Sequence, residues 1–236
     1  MLQFNAIPFV GAMMTALLAS MPITAHAPLE QADNQISPSD ETRIVAHLKS
    51  GGATDQQAAS ILENLQKGIL PQSDLPGSNP KSVRSIKSPH FDIQIKVFED
   101  GSSKITKREI PRISGGETEL ASISGCTAST GSGYASLKYC LIAESGTTYD
   151  AAFRASYTTI NGGPDTIDWV GEGAVKVFGG EKVGSHTLRI AQSKESGGVP
   201  ARALLTWQAK LVGGVAGGTT VVTLFVGKDR AWTEVR

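Results

Sequence analysis

Beyond residue 113, apolar and polar side chains alternate over short runs, which is the pattern of strands that bury one face. Every second side chain of Tyr149–Tyr157 is apolar, and Leu205–Leu211 alternates apolar residues with Thr, Gln and Lys. Glycine pairs, such as those at 162–163, separate the runs and indicate turns. Residues 219–226 are apolar on both faces, which suits a central strand. We therefore predict a glycine-rich antiparallel β-sandwich over residues 113–236, with a barrel as the alternative.

Residues 37–70 show helical spacing instead. Ser37 provides an N-cap followed by a proline in the first turn, and Thr54 with Gln57 fits a capping box. We predict a pair of short helices, which must pack against another part of the chain because neither buries enough surface alone. Residues 28–36 are polar and are predicted to be disordered.

Residues 71–90 are rich in proline, serine and glycine and predict a linker. Basic residues recur within the linker at a spacing of three: Lys81, Arg84 and Lys87. We interpret them as solvated charges, with contact to an anionic cell wall as the alternative.

Residues 91–112 alternate on both sides of a Glu-Asp-Gly-Ser turn and predict a β-hairpin. Its basic residues Lys104, Lys107 and Arg108 are expected to face solvent. A lone hairpin is marginal in water, so we expect this one to pair or pack with the domain that follows.

The first 27 residues carry no charge, and residues 7–21 are mostly apolar. Ala25-His26-Ala27 fits the small-x-small pattern of a signal-peptidase site. Pro28 after that site, and the lack of lysine or arginine near Met1, depart from the usual signal. We predict a signal peptide over 1–27 and a secreted mature chain, with a buried core segment as the alternative. No later segment is apolar enough over a sufficient length to span a bilayer.

The two cysteines, Cys126 and Cys140, agree with export, since an even count in an exported chain indicates a disulfide. Two free thiols or metal ligands are the alternative, although the chain has no CxxC motif. The alternation places Cys140 out of phase with Leu137, Tyr139 and Leu141. We therefore expect the bridge at the surface or an edge, and not as a pin between two sheets.

The chain has 22 lysines and arginines and 22 aspartates and glutamates. This balance argues against a nucleic-acid partner, which favours a basic face. The sequence has no zinc-protease motif, phosphate loop, calcium hand or Gly-x-Ser-x-Gly elbow. We expect no cofactor and no catalytic residue, and we interpret His47 as an exposed helix residue.

Two groups of residues still suggest chemistry. Asp165, Asp168 and Glu172 collect oxygen donors near a turn, which suggests a weak calcium site or a carboxylate pair for hydrolysis. A polar β-turn followed by a strand is the competing interpretation. Tyr134, Tyr139 and Trp232 are the aromatic residues expected at the surface, where they form a candidate ligand patch.

Several short motifs follow one another: residues 98–102 (Phe-Glu-Asp-Gly-Ser), 123–126 (Ile-Ser-Gly-Cys) and 131–134 (Gly-Ser-Gly-Tyr), ahead of Cys140. With the capped helix pair and the hairpin, this order resembles uncharacterised secreted proteins of Gram-positive actinobacteria over residues 40–230. The resemblance implies export and this architecture, and no activity.

These observations favour a secreted, non-catalytic binding module, with a cell-wall polymer, a glycan or another extracellular protein as its partner. The alternatives are a secreted hydrolase using the carboxylates near Asp165, and a toxin-like or inhibitor protein.

Overall fold

The computed structural model describes residues 35–113, 125–212 and 216–235. Two helices and a short 3-10 helix come first: α1 (Pro38–Gly51), α2 (Asp55–Gln66) and the 3-10 helix Gln72–Asp74. Strands make up the rest of the described elements: β1 (Ser82–Lys87), β2 (Phe91–Val97), β3 (Ser103–Glu109), β4 (Arg112–Ile113), β5 (Thr127–Gly131), β6 (Tyr134–Ser145), β7 (Tyr149–Ile160), β8 (Thr166–Val177), β9 (Gly180–Gln192), β10 (Ala201–Leu211), β11 (Ala216–Gly227) and β12 (Arg230–Val235).

Within the described ranges, β1 to β8 form one sheet and β9 to β12 form a second. The long strand β6 organises the larger sheet. Along one edge it pairs with β3 and β5, and along the other it pairs with β7, which then pairs with β8. The short β4 joins β5 in parallel, and every other pairing in the two sheets is antiparallel. The smaller sheet has the order β12-β11-β10-β9.

The inner faces of the two sheets pack together, so the predicted mainly β sandwich preceded by a helix pair is confirmed. The alternating apolar side chains of β7 and β10 lie in this core, where Tyr149 contacts Trp207 edge to face at 5.1 Å between ring centroids. Burying a large apolar side chain contributes about 1.5 to 3 kcal/mol, so this layer supplies most of the stabilisation. β11, predicted to be central, is paired on both edges.

Both helices begin where the caps predict. Ser37 Oγ accepts from the Asp40 amide, and Thr54 and Gln57 form the capping box. The apolar stripes of α1 and α2 pack into a second core cluster with Phe178, after β8, and Leu211, at the end of β10. The helices therefore cover one end of the sandwich, which satisfies their need for a partner surface.

The linker predicted over residues 71–90 is wrong. The carboxylate of Asp74 accepts hydrogen bonds from the Thr147 amide (3.0 Å) and from the amide and hydroxyl of Thr148 (2.8 and 2.7 Å). Residues 82–87 form β1, which pairs antiparallel with β2. Asp74 thus satisfies backbone amides of the turn between β6 and β7, and residues 82–87 are part of the larger sheet.

The hairpin prediction is confirmed, since β2 pairs with β3, and β3 joins the larger sheet through β6. The expected exposure of its basic residues is only partly right. Lys104 is buried, and Arg108 points between the two sheets, where it forms an ion pair with Asp92 at 2.8 Å.

The disulfide between Cys126 and Cys140 is confirmed, but its expected position at the surface is wrong. Both cysteines are fully buried in the inter-sheet core. The pairing of β6 with β7 shifts register between Leu137 and Cys140, and Tyr139 has a φ of 57°. This bulge reverses the phase of β6, so Cys140 turns inward. The bridge joins Cys126, directly before β5, to β6 of the same sheet, so it is not a pin between two sheets, as expected. Closing its loop, a sequence separation of 14, contributes about 3 kcal/mol.

The predicted signal peptide, residues 1–27, lies outside the described residues, as do most of residues 28–36. Ile36 is described, and it is buried against the helices, which contradicts its expected disorder. None of the helices in the described ranges combines the length and the apolar character needed to cross a membrane.

His47 is buried, contrary to the expectation that it is exposed. Its Nε2 donates to the Ser103 carbonyl oxygen at 2.8 Å and ties α1 to β3. Burial lowers the pKa of His47 from its ordinary value, and the nearby Arg43 adds to this lowering, while the Ser103 hydrogen bond opposes it. The neutral imidazole is the form that fits this site.

Because the pKa of His47 is lower in the folded chain than in the unfolded chain, the folded state binds fewer protons. The stabilisation by neutral His47 is complete above about pH 6.5 and is lost as the pH falls below it. We expect the difference in unfolding free energy between the wild type and His47→Gln to shrink from pH 7.5 to pH 5. Urea unfolding at both pH values measures it, with His90→Gln as an exposed control. A constant difference would contradict the assignment.

Candidate functional site

Two aromatic side chains stand together on the outer face of the larger sheet. The ring centroids of Tyr139 (β6) and Trp169 (β8) lie 5.0 Å apart, with their planes tilted by 54°. Tyr139 is 50% exposed and Trp169 is 37% exposed, although rings of this size are usually buried in a sandwich. Ser156 of β7 lies between the two strands beneath them and is nearly buried.

Bulges on both flanking strands produce this arrangement. At the β6 bulge, Tyr139 adopts a left-handed backbone, and its amide donates to Ser156 Oγ at 3.1 Å. On β8, the pairing with β7 shifts so that Trp169 lies opposite Ser156, whereas Ile167 remains in the core. The indole of Trp169 then extends across Gly171, where a Cβ would meet a ring carbon at 2.2 Å.

Arg154 of β7 holds one end of the aromatic pair. Its Nη1 donates to the Tyr139 carbonyl oxygen at 2.7 Å, and its Nε donates to Glu172 Oε2 at 3.0 Å. Its Nη1 also lies 3.4 Å from Glu109, whose carboxylate is only 2% exposed and accepts from the Leu141 amide. The Tyr139 carbonyl, Glu172 and the buried Glu109 together set the orientation of Arg154.

Two of the four non-glycine residues with positive φ in the described part of the chain lie at this place, and the other two are in the β11–β12 turn. Tyr139 and Glu172 both have φ near +55°, at 57° and 53°. Such a conformation costs about 1 to 3 kcal/mol for a residue that is not glycine, and it persists only where its surroundings enforce it. Arg154 contacts both residues and is therefore the element that holds the two bulges in place.

Polar side chains continue the surface toward Tyr134. Thr158 donates to Asp168 at 3.0 Å, and Asp168 also accepts from the Thr166 hydroxyl at 2.7 Å. Tyr134 lies further along β6 with its ring across Gly131, and it is half exposed. Four residue steps of β7 separate it from Ser156, which is roughly 13 Å.

We call the surface that runs from Tyr134 past Asp168 and the aromatic pair to Glu172 the outer strip. Two of the three aromatic residues predicted as a ligand patch, Tyr134 and Tyr139, belong to it. Trp232 does not. The neighbouring Ala231 faces the core, so Trp232 points away on the smaller sheet, where it stacks on Phe225 at 5.3 Å.

The three carboxylates proposed as a metal site do not converge. Asp165 is fully buried and accepts from the amides of Ile160 (2.7 Å) and Asp229 (2.9 Å), so it joins the β7–β8 turn to the β11–β12 turn. Asp168 and Glu172 are held by their separate partners on the outer strip. No cluster of metal-ligating side chains occurs among the described residues.

Trp169 and Arg154 are the site residues that sequence reasoning missed. Trp169 lies two positions from Ile167, so strict alternation places both side chains on the same face. The one available signal was the pair Gly171 and Gly173 within a strand, because glycine inside a strand often indicates a bulge.

No family model, curated protein or solved structure matches this chain. Its class therefore rests on its own structure: a disulfide-linked β-sandwich with a helix pair at one end and an aromatic and polar strip on one outer face.

We expect Gly171→Ala to displace the indole of Trp169, because the added methyl group would occupy the position of the ring. Fluorine NMR of protein labelled with 5-fluorotryptophan measures this directly. The Trp169 resonance should shift, while those of Trp207 and Trp232 serve as internal controls. An unchanged Trp169 resonance would show that the ring does not lie across Gly171.

Proposed function

We propose that this protein is an exported, non-catalytic binding module that holds a glycan against the outer strip. The exposed pair of Tyr139 and Trp169 carries the proposal. The C–H faces of a sugar ring are apolar, so stacking them on exposed aromatic rings removes apolar surface from water on both sides.

The polar groups beside the rings suit hydroxyl-rich ligands. Glu172 offers carboxylate oxygens on one side, and Asp168 with Thr158 offers acceptors and a hydroxyl on the other. These groups are already oriented by protein partners, which lowers the entropy cost of binding. An open strip suits a section within a polymer chain better than it suits a single enclosed sugar.

The rigidity of the strip supports the same proposal. Arg154 fixes the two bulged strands and is itself oriented by the buried Glu109. The two strained residues of the strip, Tyr139 and Glu172, fit a functional position, where strain is retained because the geometry is needed.

Export is part of the proposal. The buried disulfide indicates folding in an oxidising compartment. The uncharged apolar N-terminus and Ala-His-Ala at 25–27 fit a signal peptide, which directs a chain to such a compartment.

Trp169→Ala is expected to weaken glycan binding about 30-fold, since an aromatic hot spot contributes about 2 kcal/mol. Affinity electrophoresis against a panel of soluble polysaccharides, followed by calorimetry on the best ligand, measures the loss. Tyr139→Ala should act in the same direction. Val183→Ala removes a similarly exposed apolar side chain from the smaller sheet, away from the cleft described below, and is the control. Equal binding by Trp169→Ala and the wild type, or no binding to any glycan in the panel, would refute the proposal.

The exported chain is expected to begin near Pro28, after removal of residues 1–27. Intact-mass analysis of the protein outside the cytoplasm measures the new N-terminus. A variant with Ala25 and Ala27 both changed to Gln should remain unprocessed, because signal peptidase requires small side chains at those positions. Detection of the chain only in the cytoplasm, with Met1 retained, would exclude export.

A further inference from the structure

The larger sheet extends beyond the smaller one on one side. β3 lies next to the edge strand β12, since Arg108 of β3 donates to the carbonyl oxygen of Ala231. β2 and β1 continue past this point. A cleft of about 360 Å³ lies there, between the sheet formed by β1 to β3 and the edge of β12. This volume is within the range typical of small-molecule sites.

Ile86, Ile93, Ala231, Trp232 and Thr233 line part of the cleft, and the sheet wall adds six polar side chains, although it belongs to the inner face of a sandwich. Strand register places its side chains in two rows. The first row is Lys87, Asp92 and Arg108, and the second is Ser85, Gln94 and Thr106. The rows continue onto β6 at Ile142 and Glu144, which are buried. Both rows therefore face the second sheet, and all six residues line the cleft.

The charge of the cleft wall is positive. Arg108 is paired with Asp92 at 2.8 Å, and together they contribute no net charge. Lys87 is exposed and forms no ion pair with any residue in the described part of the chain. It is the cation left available to a ligand. Lys96 and Lys104, in the next row of the same face, lie near the buried carboxylate of Glu144.

We propose that this cleft binds a ligand of monosaccharide size that carries an oxyanion, either a carboxylate or a phosphate, beside hydroxyl groups. Lys87 pairs with the oxyanion, and the Arg108–Asp92 pair forms the floor. Gln94, Ser85 and Thr106 exchange hydrogen bonds with the hydroxyl groups, as amide and hydroxyl side chains both donate and accept. The outer strip lies on the opposite face of the sheet, so this site does not depend on the proposed glycan surface.

Calorimetry on the full mature chain with D-glucuronate, glucose 6-phosphate and neutral glucose tests the proposal. At least one of the two anions should bind more tightly than glucose by tenfold or more, and its affinity should fall with added salt. Preference for glucuronate assigns a carboxylate ligand, and preference for the sugar phosphate assigns a phosphate ligand. Failure of both anions to bind better than glucose would overturn the proposal.

Lys87→Gln should reduce the affinity for the preferred anion about tenfold. Arg84→Gln is the matched control, because Arg84 lies on the same strand and carries the same charge on the opposite face. An equal loss in both variants would indicate attraction to overall charge and would overturn the assignment. Both residues are exposed on β1, so the fold should tolerate both changes. Trp169→Ala should leave anion binding unchanged, which separates this site from the outer strip.

Discussion

The two sheets differ in size, and this difference determines where the core, the helices and the cleft lie. Four strands, β9 to β12, face a sheet of eight within the described part of the chain, so the apolar core forms only where the two overlap. β7 and β8 lie in the part of the larger sheet that the smaller sheet covers. At one end of the sandwich the helices bury Phe178 and Leu211, and on the other side the uncovered inner face carries polar residues. Each region satisfies the requirement that apolar surface be buried and polar surface reach water or a partner.

β-Bulges decide which side chains of the larger sheet face the core and which face its outer surface. The bulge at Tyr139 turns Cys140 inward, where its disulfide joins the core, and turns the tyrosine ring outward. The irregularities of β8 expose Trp169 and Glu172 in the same way. The same local irregularity, a β-bulge, thus produces a buried disulfide and an exposed aromatic pair. Arg154 links β6 and β8, the two strands on which the bulges occur. The proposed glycan surface is therefore coupled to the stability of the core beneath it.

Two carboxylates, the partly buried Asp74 and the buried Asp165, hold turns of the molecule. Asp74 binds the β6–β7 turn, and Asp165 bridges the β7–β8 and β11–β12 turns. Backbone amides in such turns have no strand partner, and an acceptor with two oxygens satisfies two of them at once. Neither residue is available for a ligand. The exposed polar groups on the outer strip and in the cleft, by contrast, do not accept hydrogen bonds from the amides of these turns.

The sequence alone determined the features that depend on neighbours along the chain. The helix caps at Ser37 and Thr54, the hairpin and the inward face of Tyr149–Tyr157 follow from local periodicity and capping chemistry. Only the tertiary structure decided which face of β2 and β3 is inner, the burial of Cys140 and the pairing of Tyr139 with Trp169. A bulge adds one residue and reverses the alternation without any obligatory change in composition. The extent of the second sheet, which creates the cleft, is likewise set by contacts between residues far apart in the chain.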